Sequence, residues 1–312
     1  MDSDGDCGRG RDVYYKIGMV YVGVIYTGDV LREVRGDDGL NRVLKYPGSK
    51  WRIADKIAEL IPSHHTYLEP YFGSGAVFFR KAPSDIETIN DLDYDVVNLF
   101  QCIREDSGKL ARLVMATPYS RQMYDDSFKP DKIAETLAGG DGFHEACRFL
   151  VKCWMGHGFR TNGYKVGWKS DVQGRERMYA LWDWYRLPGW IIEIAERLRT
   201  VQIECSQALD LIHKYDYENV FMYLDPPYLL ETRNREQYKH EMSDDEHEKM
   251  LQKALTSKAK IMISGYDSEM YDDMLSGWCR KEFRAHAEMG RRRTEVVWMN
   301  YEPVKQMELE LN

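Results

Sequence analysis

Asp225-Pro226-Pro227-Tyr228 sets a carboxylate, a proline carbonyl and an aromatic face together in four residues. Such a set can hold a planar base with an exocyclic amine: two acceptors meet its two N–H bonds and a ring meets its face. The first proline fixes its own φ and narrows the choices of Asp225 before it, so the corner is stiff. Ahead of it runs Val220-Phe221-Met222-Tyr223-Leu224, apolar throughout. That run predicts a parallel strand of about five residues, buried on both faces. The corner then stands at the carboxyl end of a strand, where open α/β sheets bind ligands. A Pro-Pro turn that merely ends a strand fits the same four residues, so the other chemistry-bearing stretches decide.

Three of these lie early in the chain. Lys45-Tyr46-Pro47-Gly48-Ser49-Lys50 precedes Ile53, Ile57, Ala58 and Ile61, a helical face that ends at Pro62. A Gly-Ser loop opening a helix offers backbone N–H groups and a lysine to a carboxylate or phosphate. A capped turn accounts for it equally. His65 to Leu68 predicts a strand leading into Glu69-Pro70-Tyr71-Phe72-Gly73-Ser74-Gly75, a glycine turn with a helix expected from Ala76. This is GxG without the third glycine of a dinucleotide fingerprint, weak evidence by itself. Ile86 to Ile89 predicts a second strand, closing on Asn90-Asp91-Leu92-Asp93. Asp91 follows the glycines by about 20 residues, the interval at which a strand-end acid accepts from ribose hydroxyls. Asp93 suits a helix cap.

From Asp95 to about Arg199 the pattern is helical, over 96–103, 110–115, 133–137, 146–154, 179–185 and 191–198. Trp154, Trp182, Trp184 and Trp190 are expected to pack these helices. Between them, Gly156 to Lys169 mixes glycine, aromatic and basic residues, and Asn162-Gly163 favours a hairpin turn. Arg160, Asn162, Tyr164, Lys165 and Lys169 suit phosphate contact, groove reading and base stacking. A solvated basic face explains them equally.

Strand character returns at Val201 to Cys205, then a short helix at 208–212, where Asp210 either orients an adenine amine or caps the helix. After the corner come a charged loop from Glu231 to Met242 and a helix over 244–255 capped by Ser243. A strand over 259–264, a helix over 270–275, the run Arg291-Arg292-Arg293 and a final strand over 295–301 complete the chain. Alternating strands and helices predict a doubly wound, Rossmann-like α/β sheet with a mainly helical inserted lobe. Residues 41–105 and 200–312 form the sheet domain, 106–199 the insert, and 1–40 a polar, flexible extension.

Composition sets bounds. The 312 residues are 43% hydrophobic with net charge −8, so a nucleic-acid partner must meet a local basic patch. Basic residues outnumber acids between Arg148 and Arg186. The six cysteines form no CxxC pair, which favours reduced thiols in a cytoplasm over zinc or a disulfide framework. No apolar run approaches the ~18 residues of a membrane span.

Taken in order, KYPGSK, EPYFGSG, NDLD, the helical insert and LDPPY resemble the Dam-like DNA adenine-N6 methyltransferases, class I enzymes dependent on S-adenosylmethionine. The resemblance covers roughly residues 41–303 and includes the closing EVVWMNYEP. Each motif is weak alone; four in order are strong. The resemblance implies that Tyr46, Lys50, Glu69, Phe72 and Gly73 line the cofactor pocket and that Asp91 holds the ribose hydroxyls. It implies that Cys205 and Ser206 lie beside the cofactor adenine. Asp225 borders the cofactor and, with Pro226, Pro227 and Tyr228, is catalytic. It also implies extrusion of the target base, which is unreachable inside a duplex. Double-stranded DNA is the expected partner, bound by a cytoplasmic monomer, with a restriction endonuclease as a compatible second partner and no metal. The family often carries Trp-Ala-Gly-Gly-Lys where this chain has Tyr46 to Lys50, and Phe at the place of Tyr71; ring and glycine chemistry survive both changes. An RNA adenine acceptor and a non-catalytic nucleic-acid-binding module of the same fold remain alternatives. Asp225 favours adenine over cytosine N4, which goes with Ser there, and over protein amides, which go with Asn.

Overall fold

The computed structural model describes residues 40–129, 141–170, 179–233, 236–286 and 292–303. Seven strands form one sheet: β1 (Thr66–Glu69), β2 (Ile86–Asn90), β3 (Val201–Glu204), β4 (Val220–Leu224), β5 (Lys260–Tyr266), β6 (Cys279–His286) and β7 (Arg292–Met299). Their order is β3-β2-β1-β4-β5-β7-β6. The first five are parallel, while β7 is inserted antiparallel between β5 and β6. The chain leaves β1 toward β2 and β3 on one side, and β4 and β5 follow on the other. The carboxyl ends of β1 and β4 therefore meet at the switch point of a doubly wound sheet, where a crevice opens.

β4 shows why an unbroken apolar run belongs here. Phe221 and Tyr223 face one core, with Tyr67, Ile89 and Met262; Met222 and Leu224 face the other, with Leu68, Ile261, Ile263 and Trp298. All five residues of the strand are buried, because helices cover both faces. The described helices are α1 (Ala54–Ala58), α2 (Tyr94–Ala116), α3 (Arg121–Asp126), α4 (Gly142–Met155), α5 (Tyr179–Leu198), α6 (Ala208–Lys214), α7 (Asp244–Leu255) and α8 (Glu269–Met274). Asp93 caps α2 by accepting from Asp95 N, and Ser243 caps α7 in a reciprocal box with Glu246.

The elements differ from the sequence reading in several places, among them the unexpected α3. The helix expected from Ala76 is a run of turns: Val77, Phe78 and Phe79 are all buried, leaving no exposed face for an amphipathic helix. The helices expected over 96–103 and 110–115 are one, α2, broken in geometry only at Asp106 (φ −151°, ψ 83°). Those over 179–185 and 191–198 are also one, α5, which carries Pro188 inside it. Strand β6 was not anticipated, because Arg280, Lys281 and Glu282 give an edge strand no apolar signal. The expected helix over 133–137, the extension up to Gly39 and Arg291 lie outside the described residues. Trp154 and Trp184 are core residues whose indole N–H groups donate to Val43 O and Thr117 O, whereas Trp182 is 55% exposed.

A buried charge cluster ties the last helix of the insert region to the sheet. Glu87 on β2 is 2% exposed and accepts from Lys81 and from both Arg197 Nη atoms on α5. These partners hold the Glu87 carboxyl below its usual range against burial, which pushes the other way. Arg197→Ala leaves Glu87 with Lys81 alone, and a loss of about 2–3 kcal/mol in urea unfolding is expected.

Candidate active site

The Gly-Ser loop and the Asp-Pro-Pro-Tyr corner lie far apart in sequence and meet through one ion pair. Lys50 Nζ donates to both Asp225 oxygens, at 2.8 and 2.9 Å, and to Gly48 O at 2.8 Å. Lys50 is 4% exposed. Burial works against its ammonium, but Asp225 and Glu295 hold its pKa above the usual lysine value. Burial lifts Asp225 to about 6, with Lys50 pulling the other way. Tyr228 is 5% exposed; its ring centroid lies 4.6 Å from Lys50 Nζ and 4.3 Å from that of Tyr266. Its hydroxyl donates to Glu295 Oε2 at 2.7 Å. Arg233 Nε donates to Tyr228 O, and Glu241 holds that arginine.

Beside this corner is a cavity of about 310 Å³ at the ends of β1, β2 and β4. Tyr46, Lys50, Glu69, Phe72, Gly73, Asp91, Asp225 and Pro227 all border it, so the structure gathers most of the residues singled out by sequence. Phe72 is fixed by its amide, which donates to Asn90 O, and by edge contact with Phe100. Gly73 is in the left-handed region (φ 50°), and a Cβ there would come within 3.0 Å of the Tyr46 ring. Its amide donates to Asp91 Oδ2 at 2.8 Å, and Asp93 N donates to Asp91 Oδ1 at 2.8 Å. Burial raises Asp91 to about 7. Burial also raises Glu69 to about 8, although Tyr67 Oη donates to it at 2.6 Å. Asp93 Oδ2 is buried on the same wall with no hydrogen-bond partner.

Other expected site residues stand elsewhere. Cys205 and Ser206 do not border the cavity; Gln207 to Asp210 do. Ser206 is held back by Asn90, which accepts from its amide and donates to its carbonyl. Tyr228 is likewise absent from the cavity wall, and Pro226 is buried. Sequence reading passed over Glu295 and Tyr238. Tyr238 borders the cavity over Tyr46, with ring centroids 6.1 Å apart. Nothing local marks Tyr238, which sits in a charged stretch; Glu295 opens the closing EVVWMNYEP run, but nothing in that run names its partners.

The basic loop of the insert is closed by one bridge, Gly156 to Trp168, rather than by a full hairpin. Asn162, Tyr164 and Lys165 are exposed, Arg160 and Lys169 half-buried. Arg160 stacks over Tyr164, while Lys165 is paired with Asp125 at 2.6 Å. The loop grips the segment after the corner: Thr161 N donates to Gln237 O, Lys239 N to Thr161 Oγ1 and Asn162 Nδ2 to Glu236 O.

The sheet order, the glycine turn and the strand-end acids define a Rossmann-like methyltransferase. The chain belongs to the D12 class N6 adenine-specific DNA methyltransferases, whose family model matches residues 46–293. It is an adenine-specific DNA methyltransferase. It is 24% identical over 274 residues to a type II methyltransferase of Lactococcus lactis subsp. cremoris, covering 82% of this chain and 94% of that one. A type II methyltransferase of Methanocaldococcus jannaschii is 23% identical over 75% of this chain and 88% of its own. A DNA adenine methylase of Serratia marcescens is 23% identical over 74% and 85%.

S-adenosylmethionine, which the family implies, suits these residues. Glu69, Asp91 and Asp225 complement a cationic ligand, and the orphaned Asp93 Oδ2 awaits a donor. Gly73→Ala places a methyl group against Tyr46 at positive φ. Calorimetry with S-adenosylhomocysteine is expected to show binding weakened by about tenfold or more, in a protein that still unfolds cooperatively.

Proposed function

We propose that the enzyme methylates N6 of an adenine extruded from double-stranded DNA, with residues 41–105 and 200–312 carrying the chemistry and 106–199 recognising the target. The observation that carries this reading is the half-buried Asp225 carboxylate, anchored by the buried Lys50 where the cofactor cavity meets the proline corner. Tyr46, Glu69, Phe72, Gly73 and Asp91 hold the cofactor in this reading, and Asp91 retains free lone pairs for two hydroxyls. Asp210 and its neighbours border the adenine end, in place of Cys205 and Ser206. Bound there, S-adenosylmethionine supplies an electrophilic methyl group on a good leaving group.

Adenine N6 is a poor nucleophile because its lone pair is delocalised into the ring. Asp225 and the Pro226 carbonyl each accept one of its N–H bonds, turning the nitrogen toward tetrahedral geometry and localising the lone pair. The raised pKa of Asp225 suits it to take the proton that the alkylated nitrogen sheds. Pro227 stiffens the corner, so positioning carries much of the rate. Tyr228 stacks on the extruded base. Its ring is nearly buried here, so base contact requires local opening. Arg160, Asn162, Tyr164, Lys165 and Lys169 face the duplex, with the stacked Arg160 and Tyr164 as the principal contacts.

A cytoplasmic monomer, paired with a restriction endonuclease of matching specificity, belongs to the same proposal. Among the described residues no helix is long and apolar enough to cross a membrane.

Asp225→Ala is expected to abolish nearly all transfer of labelled methyl to duplex DNA while the fold survives; an active variant refutes the assignment. Asp225 takes up the proton shed by N6 only as a carboxylate, so the wild-type rate falls as pH drops through about 6. Lys50→Met removes the charge that favours the carboxylate, and the acid limb of the rate profile moves to higher pH. Arg160→Ala is expected to lower DNA affinity and reduce the slope of log affinity against log salt by about one.

A further inference from the structure

Glu295 opens the closing EVVWMNYEP run, 70 residues past Asp225, and strand register brings it into the corner. In the antiparallel pairing of β5 and β7 it sits opposite Tyr266, the last residue of β5. It is 8% exposed. Its Oε2 accepts from Tyr228 Oη at 2.7 Å and stands 4.0 Å from Lys50 Nζ. That same ammonium donates to both oxygens of Asp225. One buried lysine thus faces a half-buried and a buried carboxylate and is committed to the nearer.

A carboxylate with both oxygens tied to one ammonium has reduced capacity for a target amine. Drawing Lys50 away from it would strand a buried cation unless a second anion received it. We propose that Glu295 is a positioning residue for methyl transfer: it anchors Tyr228 through its hydroxyl and receives Lys50 as a second counter-ion, freeing an Asp225 oxygen for the N6 amine. The inference rests on the reading of Asp225 as the amine acceptor. The movement needed is about 1 Å, from the present separation to an ordinary charge-assisted hydrogen bond, and lysine's flexible stem allows it. No covalent step is added.

Asp225 is faced by Lys50 from the Gly-Ser loop, Glu69 from β1, Tyr223 and Tyr228 from its own strand and corner, Tyr238 from the overlying segment and Glu295 from β7. Glu295 carries like charge toward it. Neutralising Glu295 therefore lowers the proton affinity of Asp225 and binds Lys50 to it more firmly.

The test is methyl transfer to duplex DNA from a methylation-free host, measured from pH 5 to 9 for wild type, E295Q and Y228F, with S-adenosylhomocysteine affinity by calorimetry. E295Q is expected to lower kcat by about tenfold or more, leave product affinity within about twofold, and move the acid limb down by about one pH unit. Y228F keeps the ring and the Glu295 charge but loses a hydroxyl whose hydrogen bond lowers Asp225, so its kcat is expected to fall by about threefold to tenfold with the limb moved up, opposite to E295Q. An E295Q enzyme with unchanged kcat and unchanged limb overturns the counter-ion role. So does one that loses product affinity and activity in equal measure with no shift of the limb. If E295Q does not fold, Y228F with full activity overturns the anchoring role. A wild type that transfers nothing to adenine in DNA refutes the underlying reading instead, and the inference falls with it.

Discussion

A carboxylate drawn out of water keeps its charge most readily with a cation beside it, and much of this site follows from how half-buried Asp225 meets that need. Lys50 arrives from a loop ahead of α1, so the pair joins the start of the described chain to the strand that ends at the proline corner. Removing one partner of a fully buried pair costs about 3–5 kcal/mol, and this pair, 4% and 18% exposed, comes partway to that. The pair is consequently a fastener as well as a chemical group. Its loop brings Tyr46 against Gly73, and Ser49 Oγ meets Ser74 Oγ at 2.7 Å. The cavity wall thus depends on the ion pair that borders it.

The strand ends are held with comparable economy. Asn90, 1% exposed, donates to Pro70 O and Ser206 O and accepts from Ser206 N, linking the ends of β1, β2 and β3. This clamp keeps the glycine turn and the acidic segment at one height, so Gly73 N and Asp93 N both reach Asp91. The wall after β3 is then supplied by the start of α6 rather than by the strand-end residues. Burial raises Glu69, against the pull of Tyr67 and Lys81, and Asp91 together, leaving a pocket that favours a positively charged guest.

A second chain of contacts runs from the insert to the corner. The Thr161 loop holds Gln237 and Lys239; Glu241 accepts from the amides of Gln237 and Tyr238 and from Arg233; Arg233 holds the carbonyl of Tyr228. Lys239 also reaches back to Asp93 at the cofactor wall. The surface proposed for DNA and the ring proposed for the base therefore share one continuous hydrogen-bonded path.

Composition and pattern alone made the parallel core strands, the Ser243-capped helix and the corner legible, because burial on two faces, capping and proline stiffness are local effects written in adjacent residues. Lys50, Gly73, Asp91 and Asp225 were legible as a set through their motifs. Tertiary structure decided what no local signal encodes. Phe78 and Phe79 lie in turns because the core surrounds them on every side. Cys205 and Ser206 stand off the cavity because Asn90, 115 and 116 residues earlier in order of their numbers, clamps the strand end. Glu295 reaches Tyr228 and Lys50 only because β7 enters the sheet antiparallel beside β5, a register set by long-range pairing. The sequence by itself determined the reactive groups and the stiff corner that carries them. Their partners, and hence their charge states, were decided by the fold, since burial and the distance between remote charges exist only once the sheet is assembled.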